Sequence, residues 1–116
     1  MKFTESLKRN SDFQKVYNGG KSYANRHLVL YVLENGTKKN RIGISVSKKV
    51  GNSVVRHRVK RLIKEAYRLH EDMFQKGFDM AVIARVSAKD ISYRKAESAL
   101  LHLGDLHHII KCKEDV

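Results

Sequence analysis

Between Lys48 and Arg68 the sequence KKVGNSVVRHRVKRLIKEAYR sets eight Lys and Arg residues against one acid, Glu65. The chemistry such a run offers is the binding of phosphates. Val55, Val59, Leu62, Ala66, Leu69 and Met73 recur at steps of three and four, which predicts a helix over 53–75 with one apolar face. His57, Lys60, Arg61, Lys64 and Arg68 then project roughly opposite that stripe, Arg56 and Arg58 flank it near the first turn, and Lys48 and Lys49 lead into it. A helix that is charged only for solubility interleaves Glu with Lys at i,i+4. This one keeps like charges together, which favours a polyanion at its back. A basic amphipathic helix also suits a membrane surface or a calmodulin-like partner. In so short a chain, however, the apolar stripe is needed for the protein's own core.

Other chemistry is poorly supported. The chain has six His residues, but His102, His107 and His108 form no i,i+4 pair and no HExxH occurs. His107 and His108 are expected on the polar side of the last helix. Glu71-Asp72 closes the basic helix and Glu114-Asp115 lies in the tail, so neither pair suggests acid–base work. A Walker-type GxxxxGK[ST] is missing. A nuclease acting alone, with His57 or His27 as general base, remains a rival that the basic face by itself does not exclude.

The elements that position the basic residues must fit in 116 residues, 41% of them hydrophobic, which suits one core. We expect a single domain over 1–116, with a mobile lead-in at 1–10 and a mobile tail at 112–116. The formal net charge of +12 and a pI near 10 exceed what solubility requires and match nucleic-acid binding. Cys112 is the single cysteine, so a disulfide framework is excluded and a reducing cytoplasm is the expected setting. The segment MKFTESLKRN has no apolar signal-peptide core, and no apolar run approaches the roughly 18 residues of a membrane span.

Ser11 reads as an N-cap followed by a helix that ends at Asn18-Gly19-Gly20, with Phe13, Val16 and Tyr17 on one face. Ser22–Leu33 is strand material followed by an Asn35-Gly36 turn. Its Leu28, Leu30 and Val32 take one face, leaving Asn25, His27, Val29 and Tyr31 on the other. Arg41–Ser47 alternates like a strand with one buried face. Phe78–Ala84 reads as a strand covered on both sides, and Ser92 caps a last helix striped by Ala96, Ala99, Leu100, Leu103 and Ile110, with Gly104 weakening its middle. The expected class is α+β, a sandwich of helices on one small mixed sheet of three to four strands, in the order αβ(β)βαβα. Strand, long helix and strand form a βαβ unit, so part of the sheet is parallel.

Asp12–Arg26, DFQKVYNGGKSYANR, and Arg41–Arg68, RIGISVSKKVGNSVVRHRVKRLIKEAYR, strongly resemble the protein subunit of bacterial ribonuclease P. The most specific part runs from Ser45 to Arg61, and the similarity extends from Leu7 to about Leu103. The resemblance implies an α-β sandwich whose βαβ crossover is left-handed, against the usual right-handed rule, with the crossover passing through Lys48–Asn52 and Gly51 there allowing a conformation other residues resist. It implies a protein that assists a catalytic RNA in removing the 5′ leader of precursor tRNA and supplies no catalytic group itself. The partners implied are ribonuclease P RNA and precursor tRNA. Magnesium acts through the RNA, and neither a small-molecule cofactor nor a membrane is implied. The family's Arg-Asn-Arg signature falls on Arg56, His57 and Arg58; the central His cannot reproduce an amide's paired donor and acceptor. Lys48, Lys49, Lys60, Arg61, Lys64 and Arg68 join these as the implied RNA-subunit contacts. Phe13, Tyr17, Ser22, Val29 and Tyr31 fall on the family's leader-binding cleft. Aromatic faces there suit unpaired bases of varied sequence. The alternative is a structural, ribosomal-type RNA-binding protein with no processing role.

Overall fold

Period-two alternation builds the sheet. In β3 (Leu28–Glu34) Leu28, Leu30 and Val32 are buried on one face, while Val29, Tyr31 and Leu33 are half-buried on the other. The same alternation carries Ile42 and Val46 of β4 (Asn40–Val46) and Met80, Val82 and Ala84 of β5 (Phe78–Ala84) to the first face. The structure is a computed structural model that describes residues 1–111, and Cys112 with the tail expected at 112–116 lies outside the described residues. The remaining elements are β1 (Thr4–Ser6), α1 (Asn10–Gly19), β2 (Lys21–Ala24), α2 (Ser53–Leu69) and α3 (Tyr93–Leu106), with short 3-10 turns at Glu71–Met73 and Val86–Ala88. Among the described residues no helix is long and apolar enough to cross a membrane.

The five strands lie in the order β1-β4-β5-β3-β2. β1, β4 and β5 are parallel neighbours, and β3 runs antiparallel to both β5 and β2. The mixed α+β class and the βαβ unit β4-α2-β5 are as expected, but among the described residues the strands number five instead of three to four. The additional strand comes from the segment expected to be a mobile lead-in. β1 is held by Asn40 N–H donating to Phe3 O and Leu7 N–H donating to Ile42 O, both at 2.9 Å, and Leu7 is buried. The Glu71 carboxylate accepts from the Lys2 N–H at 2.7 Å and the Phe3 N–H at 3.2 Å, pinning the segment. The optional strand of the expected order is also present, because 22–33 is broken at Asn25–His27, where Asn25 Oδ1 accepts from the His27 and Leu28 N–H groups at 3.2 and 3.0 Å.

α2 and α3 cover the first face of the sheet. α2 buries Val59, Ile63, Ala66 and Tyr67, so its apolar stripe is turned from the one expected: Leu62 is half-buried and Leu69 is 56% exposed. The buried Tyr67 hydroxyl sits 2.7 Å from Thr4 Oγ1 and accepts from Asn40 Nδ2 at 3.3 Å, which satisfies its polar end. The helix stops at Leu69, short of 75, because Phe74 leaves it to pack on Tyr67 with ring centroids 4.9 Å apart. Truncating Ile63 in this core would cost about 2–5 kcal/mol. α3 ends at Leu106, and Ile110 lies beyond it, bridged to Phe74. Gly104 is close-packed there; a methyl group on it would meet Ile110 Cδ1 at 2.8 Å. His107 is not on a polar face. Its Nε2 lies 2.7 Å from Leu30 O, and its ring meets Tyr23 edge-on. Burial holds the imidazole below its ordinary pKa despite that hydrogen bond, so the neutral ring donates to the carbonyl.

α1 alone covers the second face, over a small cluster of Leu7, Val16 and Ala81. It starts at Asn10 with Arg9 as the capping position and no side-chain cap, instead of with Ser11. Gly51 has no positive φ; a methyl group there would lie 2.8 Å from Val55 Cβ, so its role is room for the first turn of α2.

Candidate nucleic-acid interface

α2 begins where Asn52 Oδ1 accepts from the Val55 N–H at 3.0 Å. Its first turn contains no acid, and Arg56 closes that turn, with His57 and Arg58 following in the next. A cation such as Arg56 near the positive end of a helix dipole is unfavourable until an anion arrives. The structure sorts the basic residues into groups that the sequence left together. His57, Lys60, Arg61 and Lys64, at i, i+3, i+4 and i+7, are all exposed and line one side of a groove of about 650 Å³ between α2 and strands β1 and β4. Lys48 and Lys49 are exposed in the turn before the helix.

The other three arginines are engaged with the protein. Arg58 Nη2 donates to Ile91 O at 2.8 Å, tying α2 to the loop before α3. Arg68 is paired with Glu65, one turn earlier, and this hydrogen bond is the main reason the Glu65 carboxyl lies below its ordinary pKa. Arg56 is half-buried, with its Nε enclosed and without a hydrogen-bond partner.

On the opposite face of the sheet α1 and the strands enclose an aromatic cluster. Tyr17 meets Tyr31 edge-on with centroids 5.0 Å apart, and Phe13 lies 6.1 Å from Tyr17. Phe13 seats against the backbone of β4: a methyl group at Gly43 would lie 2.2 Å from Phe13 Cζ. Its first role is therefore to dock α1 on the sheet, while Tyr17 and Tyr31 remain half-exposed beside it. Burial, and then the neighbouring Tyr31, raise the Tyr17 pKa, so its hydroxyl stays a neutral donor. Ser22 pairs with Tyr31 across β2 and β3, which puts both on this face with Val29. All five sequence-predicted cleft residues thus share one side of the molecule.

Two contributors escaped the sequence reading. Ile83 pairs with Val29 on β3 and with Ser45 on β4, and both Ile83 and Ser45 are half-buried on the aromatic face. The continuous apolar run of β5 concealed its alternation; only the register reveals Ile83. The cleft is also braced by charge. Arg41 Nε donates to Asp79 Oδ1 at 2.9 Å, and Arg41 Nη1 lies 3.5 Å from Asp12 Oδ2 of α1. Burial alone would raise the Asp79 carboxyl, but hydrogen bonds from Arg41 and Asn35 and the Arg41 charge together hold its pKa below the ordinary value. Among the described residues no three His, Cys, Asp or Glu side chains converge as a metal site.

Known proteins share this fold. The profile of the Ribonuclease P family matches residues 1–106. The ribonuclease P protein component of Lachnoclostridium phytofermentans is 52% identical over 111 residues, covering 96% of each chain. The solved structure of the Staphylococcus aureus RNase P protein superposes with a TM-score of 0.84 at 38% identity, covering 91% of this chain and 97% of that one. The Thermotoga maritima RNase P protein gives 0.80 at 30% identity, covering 87% and 96%. The structural, ribosomal-type alternative gains no support from any of these matches. By sequence and by fold the chain belongs to the ribonuclease P protein family, the protein component of the endoribonuclease that processes the 5′ end of tRNA.

Proposed function

We propose that α2 docks on the RNA subunit through His57, Lys60, Arg61 and Lys64, assisted by Lys48 and Lys49, and that the Tyr17/Tyr31 face holds the leader of precursor tRNA. The observation that carries the division is the placement of an exposed cationic stripe and a half-exposed aromatic cluster on opposite faces of one sheet. The RNA subunit performs the chemistry; the protein positions its substrate and screens charge. Contacts to the leader, which mature tRNA lacks, favour substrate over product. Neutralising phosphates along α2 lowers the magnesium needed to bring two RNAs together. Arg56, Arg58 and Arg68 fall into a supporting role, since Arg58 and Arg68 already bond within the protein and Arg56 is half-buried. Soluble work in a reducing cytoplasm suits such a subunit.

The test is cleavage of precursor tRNA at low magnesium by a bacterial ribonuclease P RNA, with and without this protein, beside a protein-alone control. Cleavage at the mature 5′ end that is stimulated only when both are present is the expected result. No stimulation of a compatible RNA, or cleavage by the purified protein alone, would contradict the proposal.

A further inference from the structure

The groove beside α2 has a composition that phosphate binding alone does not require. Its volume, about 650 Å³, falls within the roughly 300–1,000 Å³ of sites that enclose a small ligand. Its floor is apolar, formed by Ile42 and Ile44 of β4, and His57, Lys60, Arg61 and Lys64 form one wall. Thr4 and Ser6 line the other wall from β1. Thr4 is already bonded to Tyr67, whereas Ser6 is exposed and offers a hydroxyl that both donates and accepts. Glu5 is the acid that also lines the groove, and its carboxylate is paired with Lys39 at 3.4 Å.

Cations that meet only a phosphate backbone need no apolar floor between them and the next strand. An apolar surface beneath a cationic wall fits a ligand that is aromatic at one end and anionic at the other, which describes a nucleotide. Bases in a duplex are stacked and paired, so the occupant is an unpaired one. We propose that this groove receives a single unpaired base of the RNA subunit, lying over Ile44 beside the His57 imidazole, with its flanking phosphates held by Lys60, Arg61 and Lys64. The proposal rests on α2 facing the RNA subunit, as inferred above. It adds that part of this contact is a stacked base, insensitive to salt.

The test uses the full chain and the intact RNA subunit. Ser6→Phe puts a ring into the groove from an exposed edge position, and His57→Ala removes an aromatic surface from the other wall. RNA affinity is measured across a salt series, and unpaired bases are probed chemically with and without protein. Each variant is expected to lose about tenfold in affinity, the scale of one base stack, with the salt slope unchanged. One base shielded by the native protein should become reactive again. Affinity and shielding equal to the native protein in both variants would overturn the proposal. So would a loss accompanied by a changed salt slope, which would mean that the cationic wall itself had moved. Lys60→Ala tests the reading beneath: a native affinity and slope in that variant would remove α2 from the RNA interface and place the fault there, not in the groove. Thermal unfolding that matches the native protein verifies that Ser6→Phe folds, and His57→Ala, on an exposed helix face, carries the test if it does not.

Discussion

The two faces of the sheet are built on different terms. The face under α2 and α3 is a deep apolar core, and its functional surface is the flank of a helix: exposed charges on a rigid support. The face under α1 has a much smaller cluster, and its functional surface is the sheet itself, with Tyr17, Tyr31, Val29 and Ile83 left half-covered because one helix of ten residues does not span it. Charges read a backbone without regard to sequence and weaken with salt. Aromatic faces read unpaired bases by stacking, a contact between uncharged groups. One small domain can therefore hold two RNAs by contacts that respond to different conditions.

The largest expected effect comes from breaking the brace of the aromatic face. Asp79 is 4% exposed and holds Arg41, which in turn reaches Asp12 of α1. Asp79→Ala should cost about 2–3 kcal/mol in urea unfolding, less than a fully buried pair because Arg41 remains partly solvated. It should impair precursor binding more than RNA-subunit binding. An equal loss of both would erase the distinction between the faces. Acid acts on this brace and on the Glu71 anchor of the N-terminal segment. Asp79 and Glu71 both have folded pKa values below their ordinary ones; for Glu71, burial opposes this but is outweighed by hydrogen bonds, including those from the Lys2 and Phe3 N–H groups. The unfolded chain therefore takes up protons first. Their stabilisation is complete above the ordinary carboxylate range of about 4 and is lost as pH falls through the folded values. A pH series of Asp79→Asn unfolding should show a shallower acid limb than the native protein; identical limbs would remove Asp79 from the effect.

Next in size is Tyr31→Ala, expected to weaken precursor binding by roughly 1–3 kcal/mol if one base stacks there, while the RNA-subunit salt slope stays as it was. Replacing Lys60 and Arg61 together by Ala should do the reverse, reducing the slope of log affinity against log salt by about 1.8 if each meets one phosphate and leaving the preference for precursor intact. The smallest effect belongs to Arg58→Ala. Its guanidinium serves Ile91 O, so the loss should be about 0.5–1.5 kcal/mol of stability with a nearly native salt slope. A slope reduced by a full unit would return Arg58 to the RNA interface.

Much of the fold was legible from alternation and charge. Leu28, Leu30 and Val32 against Val29 and Tyr31 fixed the faces of β3, and the unbroken cations of α2 marked its outer side. β1 was not legible, since three residues carry no period and the strand exists only through pairing with residues near position 40. The phase of α2 was ambiguous because Leu62-Ile63 and Ala66-Tyr67 allow two neighbouring stripes. The structure buries Ile63 and Tyr67 because the Tyr67 hydroxyl finds Thr4 and Asn40, partners distant in sequence. For the same reason an arginine bonded within the protein could not be told from an unbonded one: Arg58 meets its carbonyl 33 residues away. The five cleft residues were carried by the family resemblance, with alternation on β3 supporting Val29 and Tyr31.

The most direct test of the division between faces is the ratio of precursor to mature tRNA affinity for the reconstituted holoenzyme, measured at two salt concentrations with the native protein, with Tyr31→Ala, and with Lys60 and Arg61 both changed to Ala. A ratio that collapses toward one only for Tyr31→Ala, at both salts, is the predicted result. A ratio lost equally in the charge variant, or untouched by Tyr31→Ala, would contradict it.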